Sequence, residues 1–477
     1  MNSELSTVPV GWVRTSIGTV VEFEYGKGLR KDTRDVTGSV PVYGSNGIVG
    51  YHSVPLMTAS SIIVGRKGAI GAVHLATVPC WPIDTTYYVF PPNGIDISFL
   101  YYLLGNCNLG SLDKSTAIPG LNRDDAYKMS ILLPPLPEQH RIVSKIEELF
   151  TRLDVGIEAL KKIKTQLKRY RQSVLKSAFE GKLTEDWRQA HKHELEPAST
   201  FLERIKKERQ KTAKSKYKEP PPPNTSDLPE LPESWVWSHT SEVCSSVRDG
   251  THDTPKYVDA GIPLVTSKNL KENGLDFTTA KNISIQDHEK ISIRSGVEKG
   301  DILFAMIGTV GNPVVVRTDR IFSIKNVGLF KKNEAFVSPE YLKFWLASRV
   351  FNEILAKNKL LKGTTQRFIP LEHLRILPIP IAPLLEQHRI VEEIENRFSV
   401  DAEIEKTIDQ SLKQAGRLRQ SILKKAFEGK LVPQDPNDEP AAKLLERIKE
   451  ERAMHLTEGR YGRKNRTRTA TKQMRLM

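Results

Sequence analysis

Two stretches of this chain occur twice, each time 248 residues apart. EQHRIVSKIEELF at Glu138 to Phe150 returns as EQHRIVEEIENRF at Glu386 to Phe398, and RQSVLKSAFEGKL at Arg171 to Leu183 returns as RQSILKKAFEGKL at Arg419 to Leu431. Nine of 13 positions match in the first pair and 11 of 13 in the second, in one unbroken register, so a whole helical segment is duplicated. A repeat of that kind dictates architecture before any residue chemistry is considered: the chain has two like halves and an internal two-fold relation.

From Ile146, residues that suit a buried seam recur at 150, 153, 157, 160, 163, 167, 170, 174 and 178, alternating threes and fours. This is the stripe of a long coiled-coil helix, and Ile394, Phe398, Ile404, Ile408, Leu412, Ala415, Leu418, Ile422 and Ala426 form its copy. Pro137 precedes the first helix, and Gly181 and Gly429 stand where a C-terminal cap is expected. Charge gives the helices a direction. Residues 138 to 160 carry 3 basic and 5 acidic side chains and 161 to 182 carry 8 and 1; residues 386 to 408 carry 3 and 7, and 409 to 431 carry 6 and 2. Each helix runs from acidic to basic, so antiparallel pairing sets opposite charges side by side, whereas parallel pairing opposes like with like.

Two more segments echo each other across the halves. Pro9 and Trp12 match Pro232 and Trp235, Gly68 and Gly71 match Gly308 and Gly311, and FLYYL at 99 matches YLKFW at 341. Both segments have bursts of β-branched residues between Gly and Pro turns, which reads as strands, with a helix near ISFLYYLL. The fold class is therefore α/β (α+β), with duplicated globular domains joined by two long antiparallel coiled-coil helices. The expected boundaries are globular domains at 1–137 and 231–385, long helices at 138–182 and 386–431, a charged helix and Pro-rich linker at 183–230, an appended helix at 432–458 and a basic tail at 459–477. LERIKKER in the linker recurs as LERIKEER in the appended helix, so that element is duplicated too. The tail holds seven basic and no acidic side chains and is expected to be disordered.

Composition narrows the function. The net charge of +14 points to a polyanionic partner, with nucleic acid foremost. Residues 1–137 balance 10 basic against 10 acidic side chains and residues 231–385 carry 20 against 16, so a nucleic-acid surface on either domain must be a local patch. Cys80, Cys107 and Cys244 are few and widely spaced, as in a reduced cytoplasmic protein without disulfides or a zinc knuckle. MNSELSTVPVGW has neither the basic start nor the apolar core of a secretory signal, and no apolar run approaches membrane-spanning length. Catalytic signatures are missing: EYGKGLR and GRKGAIG lack the spacing of a nucleotide-phosphate loop, and no N-P-P-[YF] or D-P-P-[YF] motif of adenine methylation occurs. His191 and His193 form an H-x-H pair without a carboxylate or cysteine cage, so no metal is assigned to them.

Two variable segments, each followed by a near-identical helix bearing PLxEQHRIV and RQSxLKxAFEGKL, resemble the specificity subunit of type I restriction-modification systems. VYGSNGIVGY at 42–51, DGTHDTPKY at 249–257 and IPLVTSKNLKENGLDF at 262–277 add to the likeness, which covers essentially the whole chain. The resemblance implies a non-catalytic subunit whose two target recognition domains each read one half of a split double-stranded DNA site. It also implies no cofactor in this chain. Two methyltransferase subunits would bind S-adenosylmethionine and methylate adenine N6, while restriction subunits would use ATP and Mg to translocate and cut. Such a complex is prokaryotic, cytoplasmic and associated with the nucleoid. Helices of about 44 residues, about 66 Å at 1.5 Å per residue, would space the domains and dock the methyltransferase.

Candidate DNA contacts lie in polar loops. In the first domain they are Lys27, Arg30, Lys31 and Arg34, then Tyr43, Ser45 and Asn46, Arg66 and Lys67, and Thr116, Asn122 and Arg123. In the second they are Arg248, Asp249, Thr251, His252 and Lys256, then Thr266, Ser267, Lys268 and Asn269, and Thr364, Thr365, Gln366 and Arg367. Arg and Lys grip phosphate or guanine and Asn and Gln pair with adenine, so the residue types suit the task. The bland reading of VYGSNG is a β-turn with positive φ at Asn46 and Gly47, which does not exclude contact. The glycines at 68, 71, 308 and 311 are expected to serve tight backbone packing. Glu138, Gln139, His140 and Arg141, with Glu386, Gln387, His388 and Arg389, are too alike between copies to read different half-sites; they suit docking of one kind of partner twice, or capping of the helix start. Phe179 and Phe427 read either as ends of the seam or as partner-facing anchors. The rival overall reading is a coiled-coil adaptor that joins proteins and touches no DNA.

Overall fold

Strands and helices fall where the β-branched bursts and the long seams place them, and the scheme occurs twice. The computed structural model describes residues 8–35, 37–112, 120–212, 221–226, 228–363 and 366–454. It divides into two units, Met1–Leu160 with Gln410–Met477, and Lys161–Asp409.

In the first unit Val13–Ser16 pairs antiparallel with Ser130–Leu133 and ties the two ends of the domain together. An antiparallel sheet follows the order Glu24–Tyr25, Thr86–Val89, Ser61–Gly65, Val73–Ala76. Beside it runs a three-stranded sheet, Gly47–His52, Val40–Gly44, Trp81–Pro82, whose last pair is parallel. The second unit repeats the plan: Val236–His239 pairs with Pro378–Ile381, and a sheet runs Ser246–Asp249, Val327–Lys331, Ile302–Ala305, Gly311–Val315. The copies keep register, with Ile62 opposite Val89 in one and Ile302 opposite Phe330 in the other. The second unit's other sheet has four strands, and its parallel pair Ile262–Val265 with Ser323–Ile324 answers the first unit's parallel pair Val40–Gly44 with Trp81–Pro82; the helix Ile285–Ser295 accompanies it.

The two long helices are Leu136–Phe179 and Leu384–Phe427, 44 residues each. The first starts two residues earlier than its motif suggests, so Pro137 sits inside the first turn, where a missing N–H costs nothing. Gly181 and Gly429 have φ of 70° and 68°, and the Lys182 and Lys430 amides donate back to Ser177 and Lys425, closing each helix with a left-handed cap.

Pairing is antiparallel within each unit. In the second, Lys164 meets Asp409 at 2.8 Å and, further along, Arg171 meets Glu405 at 3.1 Å and Asp401 at 3.3 Å, so numbers rise on one helix as they fall on the other. In the first, Arg419 pairs with Asp154, and Arg141 with Asp438 at 2.6 Å. The Arg171 pairs with Glu405 and Asp401, and the Arg419 pair with Asp154, join the acidic and basic halves that the charge count selects. The apolar seam is thinner than the sequence stripe: Ile163, Tyr170, Ile404 and Leu418 stay largely exposed, while Asp401 is buried against Arg171. A two-helix pair covers only one narrow stripe of each helix, and charged side chains close the rest.

The packing explains why the repeats are faithful. In the second unit Arg171, from the first copy of RQS, lies 6.0 Å over the ring of Phe398, which ends the second copy of EQHRIV. In the first unit Arg419 lies 4.4 Å over Phe150, the same contact with the copies exchanged. Phe179 packs edge-on to Tyr341 and Trp345, and Phe427 edge-on to Phe99, so each AFEGK end is buried in the FLYYL or YLKFW helix of the other copy's domain. A Cβ on Gly181 would lie 2.3 Å from Pro232 Cγ, and one on Gly429 would lie 2.5 Å from Pro9 Cγ. The appended helices follow suit. Leu202 and Ile205 of LERIKKER are buried in the second unit's core, and Leu445 and Ile448 of LERIKEER, on a helix over 441–454, in the first unit's core.

Candidate nucleic-acid interface

At the two helix starts, where the sequence suggests docking of a partner or capping of the helix, the Glu and Gln side chains are buried. Glu138 is buried and accepts the Trp12 indole N–H at 2.9 Å and the Gln434 amide at 3.1 Å. Glu386 is also buried and accepts Trp235 Nε1 at 2.9 Å, Thr184 Oγ1 at 2.8 Å and Arg188 Nη1 at 2.7 Å. Gln139 accepts the Asp96 amide and donates to the Pro134 carbonyl, and Gln387 does the same with Ser338 and Ala382. These four side chains, with buried Phe179 and Phe427, are enclosed by their own chain and offer no surface to a partner. Burial pushes the Glu138 carboxyl above its ordinary range, an effect partly offset by the Gln434 and Trp12 hydrogen bonds. His140 and His388 are exposed at the same helix starts, whereas Arg141 is paired with Asp438 and Arg389 with Glu392 and Glu393.

In the first domain the fold sorts the loop residues. Tyr43 packs among Ile63, Ala76 and Cys80, and the Ser45 hydroxyl is held by the Lys67 and Thr85 carbonyls, so both belong to the interior. Asn46 is exposed at the tip of the hairpin, and the positive φ there is at Gly47 alone. Arg34 is spent on the Val49 and Leu29 carbonyls, and Asn122 caps the helix Arg123–Tyr127. Lys27, Arg30, Lys31 and Lys67 are exposed. Thr116 lies outside the described residues. Arg66 and Arg123 share a position the sequence did not connect: their guanidinium groups lie 5.3 Å and 5.6 Å from the ring centre of Tyr25, itself half exposed. Gly68, Gly308 and Gly311 have positive φ and open space where a side chain would stand; only Gly71, against Gly110, is closely packed.

In the second domain the loops converge. An open cleft of about 850 Å³ is lined by Thr266, Ser267, Lys268 and Asn269 from one loop and by Gln366 from another, with Lys271, Lys281 and Lys325 around it. Asn269 is buried as a cap, accepting from Thr266 and donating to the Asp276 carbonyl, so it shapes the loop and leaves Lys268 exposed. Asp249 is likewise buried and binds Arg294 and His252; the other His252 nitrogen faces Asn326 Oδ1 at 3.0 Å. Thr251 sits in the same turn, Lys256 and Arg367 are exposed, and Thr364 and Thr365 lie outside the described residues. Among the described residues no group of three or more His, Cys, Asp or Glu could hold a metal, and no helix is long and apolar enough to cross a membrane. His191 stacks on Trp187 at 4.4 Å between ring centres and bonds its carbonyl.

Twofold domains of one plan, with different polar surfaces, agree with the comparison that decides the family. The model of the type I restriction modification DNA specificity domain matches residues 9–169 and again 232–414. The chain belongs to this family. Within it the chain is 27% identical over 461 residues to the type I restriction enzyme EcoDI specificity subunit of Escherichia coli, covering 94% of this chain and 96% of that one. It is 28% identical over 479 residues to the EcoBI specificity subunit of the same species, covering 94% of each. A solved structure concerned with complex assembly and conformational transition of the type I R-M system shares the fold, with a TM-score of 0.60, 17% identity and coverage of 89% of this chain and all of that one.

Proposed function

We propose that this chain reads a bipartite, asymmetric double-stranded DNA target for a type I restriction-modification complex, each domain contacting one half-site. The chain supplies specificity and no catalysis. The observation that carries the reading is the contrast between the two units. Their four-stranded sheets share order and register, while the polar groups differ: Arg66, Arg123 and Tyr25 in one, the Thr266–Lys268 loop with Gln366 in the other. One scaffold with two different surfaces suits two different half-sequences. In this reading phosphate contacts fall to the exposed Lys27, Arg30, Lys31 and Lys67 in the first domain and to Lys256, Lys268 and Arg367 in the second, and base reading falls to the exposed Asn46 and Gln366.

Docking of methyltransferase subunits falls to the exposed surface around His140 and His388, since the neighbouring Glu and Gln are enclosed. S-adenosylmethionine, and ATP with Mg, belong to the partner subunits in this reading. An adaptor without DNA recognition does not account for the family membership. The test is copurification with a methyltransferase subunit, then methylome sequencing with and without this chain. Adenine methylation at a split motif that disappears without the chain is expected; methylation indifferent to the chain overturns the reading.

A further inference from the structure

A second cleft in the second domain, about 490 Å³, has three arginines on its walls, Arg248, Arg294 and Arg375, with Ser241 and Ser246. Each guanidinium is steadied from behind. Arg248 donates to the Arg294 carbonyl at 2.6 Å, Arg375 to the Val247 carbonyl at 3.4 Å, and Arg294 pairs with buried Asp249. No acidic residue lines the cleft, and neither Arg248 nor Arg375 meets a carboxylate among the described residues. The cleft thus gathers three forks of N–H donors, two of which, on Arg248 and Arg375, have no carboxylate partner among the described residues, and that is chemistry suited to a phosphate.

Its place in the fold supports the same assignment. Arg248 lies on the edge strand Ser246–Asp249, and the strand in that place in the first domain, Glu24–Tyr25, carries the tyrosine flanked by Arg66 and Arg123. The two domains therefore gather guanidinium groups at one structural position from non-matching residues. A chain of contacts, Arg294 to Asp249 to His252 to Asn326, also links this cleft to the one lined by Thr266, Lys268 and Gln366, where Asn326 is a wall residue.

We propose that Arg248, Arg294 and Arg375 grip a backbone phosphate of the DNA, beside the cleft that reads bases; this rests on the DNA-reading function above. The test uses the full chain with its methyltransferase partner and measures affinity against salt for target and unrelated duplexes. Arg248→Gln with Arg375→Gln should lower the log–log salt slope by roughly 1 to 2, so that a fourfold rise in salt costs the variant up to about tenfold less affinity than it costs the wild type. The loss should be equal on target and unrelated DNA. Arg248→Lys with Arg375→Lys should keep the slope. Arg294 is left intact because it neutralises Asp249. An unchanged slope, a loss confined to target DNA, or release of the methyltransferase with DNA affinity intact would overturn the grip, the last by assigning the cleft to an acidic protein surface. Added inorganic phosphate that protects Arg375 from modification without affecting DNA affinity would assign it to a free anion instead. A wild-type complex that prefers no DNA sequence would refute the underlying reading itself.

Discussion

Glu386 gives the sharpest separation between a side chain that folds the protein and one that docks a partner. It is fully buried and accepts three hydrogen bonds, from Trp235, Thr184 and Arg188, the last with only 12% of its side chain exposed. Glu386→Ala leaves a mostly buried cation and two buried donors unpaired. Removing one partner of such a pair costs about 3–5 kcal/mol, which for a unit of this size is a fall in Tm of roughly 6–20 °C. Glu386→Gln keeps an acceptor for the indole but loses the charge facing Arg188, and should cost about 1–3 kcal/mol. Adding Arg188→Gln to Glu386→Gln should recover part of that loss, because no charge is then stranded. Hydrogen exchange resolved by peptide gives the assay, with the loss expected in residues 161–409. If Glu386→Ala shifts exchange there by less than about 1 kcal/mol yet releases the methyltransferase, the structural assignment is wrong and the docking one is right.

Other expectations follow from single contacts. Burial raises the Glu138 carboxyl above its ordinary 4.5, so this group's contribution to stability is present below that pH and is lost as pH rises through the folded value; Glu138→Gln should flatten the stability profile on the rise above the ordinary carboxylate range, and an unchanged profile would contradict the cause given. Gly181→Ala and Gly429→Ala each force a Cβ into a proline ring at positive φ and should cost about 1–3 kcal/mol, read as a lower Tm, whereas neutral variants would show that the caps tolerate a side chain. Gln366→Ala should relax one position of one half-site by about 1–3 kcal/mol of discrimination, measured by methylome sequencing, while a uniform loss on all DNA would demote it to a backbone contact.

The antiparallel sense of the helices was readable because it is written in charge along each helix, and the duplicated core because Trp12, Phe99 and their echoes recur in order. What sits against what was harder to read. A seam repeat shows which face is buried, not which distant segment covers it, so Glu138 and Glu386 looked like surface features. The clue was present in the sequence, since Trp and Glu are both repeated, and their 2.9 Å hydrogen bond explains why. Faithful repetition here reflects motifs that pack on each other: Arg171 on Phe398 and Arg419 on Phe150. Loop composition was a fair guide to exposed lysines but failed for Tyr43, Ser45, Asp249 and Asn269, polar residues that the interior uses for its own hydrogen bonds or packing. Tyr25, Arg294 and Arg375 were missed because they sit on a strand or at helix ends, where no local run of polar residues marks them.

The central claim is that the two units read two different words of one target. Replacing residues 231–383 with the corresponding domain of another family member, and sequencing the methylome of cells carrying that chain with its methyltransferase, tests this most directly. The account predicts a split adenine-methylation motif in which one half changes completely and the other half and the spacer stay as they were. A motif altered in both halves, or in neither, would contradict it.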